Sequence, residues 1–290
     1  MAAMNRSAAM SPVVSVPPQA WFLISAVFHY LGPALAVLLF PAVGVLGVAW
    51  FRIAAAALVF APIARPWRLF VAADRRERWL LLAMGTTLAL MNCSFYLAIA
   101  RLPLSLVATI EFVGVIGLAL YGMRTQRNRV ALSIAVAGVF VLIHIRWSSD
   151  PAGLAWAFAN GALFVLYVVL GHRIARTGNG IERLGAAMAI ALVAVFPIGI
   201  VQAMRAFAHP TLVLAGVGVG ICSSVIPYVC DQLAMARLPR ASFALMLTLL
   251  PASATVIAAI VLGQIPTPRE MTGIAMVMAA MALHRPAEAA

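Results

Sequence analysis

Ala98-Ile99-Ala100-Arg101-Leu102-Pro103 returns 136 residues later as Ala234-Met235-Ala236-Arg237-Leu238-Pro239. Each copy closes one apolar segment and opens the next. A six-residue match carries little weight alone in so apolar a chain. Its position carries more: the first copy joins segments three and four, and the second joins segments eight and nine. The chain thus divides into two halves of five segments. An odd number of crossings per half places equivalent points on opposite sides of a bilayer, so the halves are inverted.

The segments follow from hydropathy. A helix needs about 20 apolar residues to cross a hydrocarbon core of about 30 Å. Ten windows meet or approach that length: 19–39, 44–63, 79–99, 104–122, 129–145, 151–171, 182–203, 210–230, 240–262 and 268–284. The predicted fold is an all-α polytopic membrane protein, with ten transmembrane helices in two inverted five-helix repeats. Its parts are a tail at 1–18, repeats at 19–146 and 147–285, and a tail at 286–290. The first 18 residues lack the apolar run of a signal peptide, so the first segment is expected to be retained. Residues 64–78 read as a loop.

Composition agrees. The chain is 64% hydrophobic and 10% charged, with mean hydropathy +1.05, against roughly 25% charged in soluble domains. The net charge of +12 comes from arginine alone, since lysine is absent. Such charge in a soluble protein points to nucleic acid. Here the arginines stand at segment ends, which makes them topology determinants. With the N-terminus cytoplasmic, the inner side receives 15 arginines and the outer side four: Arg101, Arg146, Arg205 and Arg269. The twentieth, Arg52, lies inside segment two. Both termini are therefore expected in the cytoplasm. Cys93, Cys222 and Cys230 lie in apolar segments without a CxxC spacing, so no metal or disulfide is expected.

Ionisable groups within spans cost about 2.5–3.5 kcal/mol at the helix centre on insertion scales, so they usually line a cavity or pair. Glu111 lies near mid-depth of segment four, where a carboxyl suits reversible protonation, holding a substrate ammonium, or a fixed ion pair. Arg52 reads as a carboxylate clamp, as a counter-ion to Glu111, or as a snorkelling side chain. Asp231, at the inner end of segment eight, is a candidate substrate- or ion-binding acid, or is simply hydrated or paired with Arg237 or Arg240. Asn92 and Tyr96 share a helix face at a spacing of four, and Tyr228 and Gln232 stand at the repeat-equivalent positions. These pairs line a central cavity or hydrogen-bond between helices. Trp156, Asn160 and Tyr167 fall along one face of segment six, as path residues or an interfacial belt. His29 and Tyr30 precede Gly32-Pro33, a candidate helix break exposing backbone groups. Ser223-Ser224 can satisfy backbone groups freed by Pro227. Gly216, Gly218 and Gly220 follow no strand, and close helix packing explains them better than a phosphate loop does.

Polar residues in matched, inverted halves favour transport over an enzyme or a scaffold. A membrane-embedded enzyme is the rival class, yet HExxH, GxSxG and any Schiff-base lysine are absent.

Several stretches then carry a family resemblance: Leu39-Phe40-Pro41-Ala42-Val43-Gly44, Pro66-Trp67-Arg68-Leu69, Met91-Asn92-Cys93-Ser94-Phe95-Tyr96-Leu97, Glu111-Phe112-Val113-Gly114 and Ile226-Pro227-Tyr228 before Arg237-Leu238-Pro239. In order and spacing they resemble the drug/metabolite transporter superfamily, in its EamA-type ten-helix branch. The resemblance implies an inner-membrane secondary transporter that exports small neutral amino acids such as threonine and homoserine, driven by protons and without a cofactor. Another small metabolite or a cationic drug is the alternative cargo. Its partners are the substrate, protons and the lipid bilayer, with no nucleic acid. The chain departs from the family pattern in three places: Val115 stands for a proline, Leu250 for a glutamate before Pro251, and Gln264 for an acid.

The arginine asymmetry yields a direct test. A fluorescent protein fused to the C-terminus is expected to fluoresce, and an alkaline phosphatase fused there to stay inactive. The opposite pair of results would reverse the orientation of both repeats.

Overall fold

The apolar windows fold as helices because a bilayer leaves the backbone no other donor or acceptor. The structure, a computed structural model, describes residues 17–122, 125–146, 150–175, 180–235 and 249–283. In chain order the helices are α1 Pro18–Val43, α2 Val45–Ala64, α3 Pro66–Ala72, α4 Arg75–Ile99, α5 Leu104–Gly122, α6 Gln126–Arg146 and α7 Pro151–Ala175. There follow α8 Gly180–Phe207, α9 Pro210–Gly220, a π turn at Ile221–Val225, α10 Ile226–Met235, α11 Leu250–Leu262 and α12 Pro268–Leu283. Among the described residues there is no strand. Six stretches are long and apolar enough to cross a membrane: Gln19–Val43, Val45–Ala64, Arg75–Ile99, Pro151–Gly171, Glu182–Phe207 and Pro210–Asp231. Large apolar side chains such as Leu58, Val193, Leu214 and Ile260 point outward, as lipid-facing residues do. The second Ala-Arg-Leu-Pro copy, at 236–239, and the first part of segment nine lie outside the described residues.

Two local findings differ from the sequence expectation. Pro66-Trp67-Arg68-Leu69 opens a short helix, α3, instead of a loop. Proline suits a first helical turn, where its missing N–H leaves no bond unmade. At Gly32-Pro33, where a kink is expected, α1 stays helical through Pro33 and Pro41, so no broken helix presents its backbone there. The irregular backbone is the π turn at Ile221–Val225. Gly32 abuts that turn, and a Cβ on it would collide with Ser223. Gly32 therefore serves the close approach of α1 to the turn. Gly216 packs on Phe51 and Gly220 on Ala55, whereas Gly218 faces open space.

Helix contacts pair across the chain. α2 packs on α8, α5 on α11 and α6 on α12. α4 packs on α7 and α8, while α9, the π turn and α10 pack on α1, and α9 and the π turn also pack on α2. α5 packs on α7, and α11 on α1.

The bundle ends are tied by side chains. At one end Gln202 Oε1 accepts from the N–H groups of Leu46 and Gly47 at 2.9 and 3.2 Å, capping α2 from α8. Gln264 Oε1 accepts from Leu104 N–H at 3.1 Å, capping α5. Arg101 pairs with Asp150 at 3.5 Å on the same side, and Asp150 also caps α7 through Gly153 N–H. At the other end the Arg183 guanidinium donates to Glu77 Oε1, at 2.6 Å from Nη2 and 2.7 Å from Nε. Arg127 donates there to the last carbonyl of α12, Leu283 O.

Gly44 is the single residue between α1 and α2, with φ 89° and ψ 151° beside the Gln202 amide. A side chain at such a φ is strained by about 1–3 kcal/mol. Gly44→Ala is expected to lower the thermal stability of the detergent-solubilised protein clearly. Gly218→Ala, in open space within α9, should leave stability unchanged or raise it slightly. Size-exclusion recovery after heating reads both, and equal curves would remove the strain argument.

Candidate functional site

The site is built outward from Pro227. Proline has no N–H, so the carbonyl four residues earlier, on Ser223, loses its helical donor. Arg52 replaces it: Nη2 donates to Ser223 O at 3.2 Å, and Nε donates to Ser224 Oγ at 3.1 Å. Ser223 Oγ turns back to Val219 O at 2.6 Å. Pro227 O accepts from Ser25 Oγ of α1 at 3.3 Å. The expectation that Ser223-Ser224 answers the proline is thus met jointly with Arg52. The guanidinium carbon lies 5.5 Å from the centre of the Tyr96 ring and 6.0 Å from that of Phe95. Arg52 is buried, and this turn accounts for two of its five N–H groups.

Glu111 of α5 is buried as well. Arg52 and Glu111 act on each other electrostatically without meeting in a salt bridge. The Glu111 carboxyl neighbours the Asn160 amide of α7 and acts on Tyr30 of α1. Four polar atoms around the two charges are buried without a hydrogen-bond partner: Tyr30 Oη, Tyr96 Oη, and Asn160 Oδ1 and Nδ2. Tyr96 Oη nonetheless lies close to Ser223 and Arg52. Buried polar groups are rarely left orphaned unless water or a ligand serves them.

A second polar group lies further along α10. Tyr167 of α7 pairs with Tyr228, and Asp231 acts on both. Ser25 serves Asp231 in addition to the Pro227 carbonyl. Tyr228 feels Arg52 and Glu111 as well, so it stands between the two groups. His29 meets Tyr30 edge-on with ring centres 5.1 Å apart, and Arg52 acts on it. Among the described residues no cluster of His, Cys, Asp or Glu could hold a metal.

The structure thus gathers Arg52, Glu111, Tyr30, His29, Tyr96, Asn160, Tyr167, Tyr228 and Asp231. Asn92 is buried too, but its Nδ2 donates to Leu88 O of its own helix at 2.7 Å. Trp156, one turn before the wholly buried Asn160, is 40% exposed. The Gln232 side chain, Arg237 and Arg240 lie outside the described residues. Sequence reasoning missed Ser25 as a partner of Asp231; its only signal was a serine at a buried helix position.

The profile of the EamA-like transporter family matches residues 151–284. The threonine/homoserine exporter RhtA of Escherichia coli K12 is 33% identical over 252 residues, which are 86% of this chain and 84% of that protein. RhtA of Salmonella typhimurium SL1344 is 32% identical over the same length. A solved crystal structure at 21% identity shares the fold, with TM-score 0.53 over 92% of this chain and 97% of the other.

Arg52 spans two acceptors with one planar group. Arg52→Lys keeps the charge and loses the fork, and is expected to cut the initial transport rate about tenfold or more. Ser224→Ala removes one acceptor and should cost less. Wild-type affinity and rate in Arg52→Lys would show that a point charge suffices.

Proposed function

Because the chain belongs to the EamA-like transporter family and is a multi-pass membrane transporter rather than an enzyme, we propose that it exports small neutral amino acids, threonine and homoserine among them, by proton antiport with alternating access. The observation that carries this is the pair of buried opposite charges, Arg52 and Glu111, surrounded by polar atoms without partners. A zwitterion presents a carboxylate and an ammonium together. Arg52 takes the carboxylate with the donors the π turn leaves, and Glu111 takes the ammonium or, in its absence, the coupling proton. The names of the 32–33% identical relatives support this cargo.

The crossing scheme is ten helices in two inverted repeats, divided near residue 147. α1, α2, α4, α5 and α6 form the first repeat; α7, α8, the α9–α10 rod, α11 and α12 form the second. Exchanging the repeats leaves the most extensive contacts between the halves in place. α2–α8, α5–α11 and α6–α12 map onto themselves; α4–α7 exchanges with the rod on α1, α4–α8 with the rod on α2, and α5–α7 with α11 on α1. Such a bundle rocks about a midplane site. The arginine asymmetry supports placing both termini and the Arg183–Glu77 pair in the cytoplasm of an inner membrane.

Glu111→Gln keeps shape and removes the charge change. In proteoliposomes it is expected to abolish accumulation driven by a pH gradient. If Glu111 serves only the proton, exchange between equal pools persists; if it serves the ammonium, affinity and exchange fall together. A Glu111→Gln transporter that concentrates substrate like wild type would exclude both roles and move the test to Asp231.

A further inference from the structure

The Arg52–Glu111 scheme explains how an amino-acid backbone is held and leaves the side chain unread. One residue remains without a task. Asn160 is 0% exposed, and among the described residues it is the only side chain with two buried polar atoms outside hydrogen-bond geometry, its polar neighbour being the Glu111 carboxyl. An amide holds a donor and an acceptor side by side. Leaving either unpaired in an apolar bundle is costly.

Its position is set by a close helix crossing. Gly161 of α7 lies against α5, where even a Cβ would stand in ordinary contact, 3.5 Å from Ile110 O and 3.7 Å from Glu111 Cα. Gly114, three residues on from Glu111, is what permits the close approach: a Cβ there would stand 2.6 Å from Val165 Cγ2 and 3.3 Å from Gly161 O. The crossing brings the Asn160 amide beside the Glu111 carboxyl. The hydroxyls of Tyr30 and Tyr96 accompany the two charges, Tyr30 acting with Glu111 and Tyr96 lying near Arg52. They belong with the substrate backbone.

A substrate ammonium on Glu111 fixes where its side chain begins. In threonine the hydroxyl is on the carbon next to the one bearing the ammonium; in homoserine it is one carbon further. Either position lies close to the ammonium, on the side of whatever borders Glu111. A hydroxyl both donates and accepts, and the amide offers Oδ1 to the one role and Nδ2 to the other. We propose that Asn160 is the specificity-determining residue, selecting amino acids with a side-chain hydroxyl over apolar ones of the same shape. This rests on the assignment of Glu111 and Arg52 to the substrate backbone.

The test uses the full chain in proteoliposomes loaded with labelled threonine. Unlabelled threonine and homoserine compete from outside, as do their shape-matched apolar counterparts, valine and norvaline. Wild type is expected to prefer each hydroxylated member by about tenfold or more, since a polar site rejects an analogue that leaves it unpaired. Asn160→Leu and Asn160→Ala should bring both ratios near one while valine is still carried, which also shows that the variants fold. Wild type that carries no amino acid refutes the amino-acid cargo itself. Wild type carrying threonine and valine equally, or variants with an unchanged ratio, refute Asn160 alone. Loss of threonine and valine transport alike in both variants makes Asn160 structural and refutes the specificity role.

Discussion

A carbonyl stripped of its donor by Pro227, and a guanidinium brought from another helix to meet it, organise the centre of this protein. Nothing in hydrocarbon would serve the Ser223 carbonyl, and an unpaired polar group there costs several kcal/mol. Arg52 serves it from α2, and in doing so is fixed against the Tyr96 ring. Gly32 lets α1 press on the same turn. Removing the proline would remove the need for the arginine there, and removing the arginine would leave the turn unsupported. A charge that is expensive to bury is therefore retained because it does structural and chemical work at one point.

Each end of the bundle carries an ion pair, Arg101–Asp150 at one and Arg183–Glu77 at the other, and the first adds amide caps. Gln202 and Gln264 offer neutral amide oxygens to helix N-termini, where free N–H groups otherwise face one another's helices. The opposite end uses the Arg183–Glu77 ion pair, partly open to solvent. Salt screens a pair of exposed charges far more than a hydrogen bond between neutral groups. Salt thus acts on the ion pair at each end and hardly on the amide caps.

Much of this was legible from residues. Hydropathy placed helices correctly in every window the structure describes, because a bilayer enforces both helix length and internal hydrogen bonding. The scarcity of ionisable groups singled out Arg52, Glu111 and Asp231, since each must be compensated where it stands. What was hidden depended on distance between helices. Pro33 and Pro227 look alike in sequence, yet α1 runs on through the first, whereas a π turn precedes the second and Arg52 meets the carbonyl it frees. Asn92 and Asn160 are likewise indistinguishable as letters. One bonds its own helix, and the other lies beside the Glu111 carboxyl of a different helix.

The π turn also changes what equal spacing means. Its wider winding takes in one more residue than an α-helix of the same height, so everything after Val225 is turned by about 100° relative to an unbroken helix. Asn92 and Tyr96 ride on a regular helix, whereas Tyr228 and Gln232 come just after the turn. A 136-residue offset matches these pairs in sequence, while only the second pair follows a π turn. The halves share a chain pattern, yet they present different chemistry inward. The first half supplies aromatic support and a self-satisfied amide. The second directs Tyr228 toward Tyr167 and both intramembrane acids. The π turn thus sets which way the polar residues of α10 face.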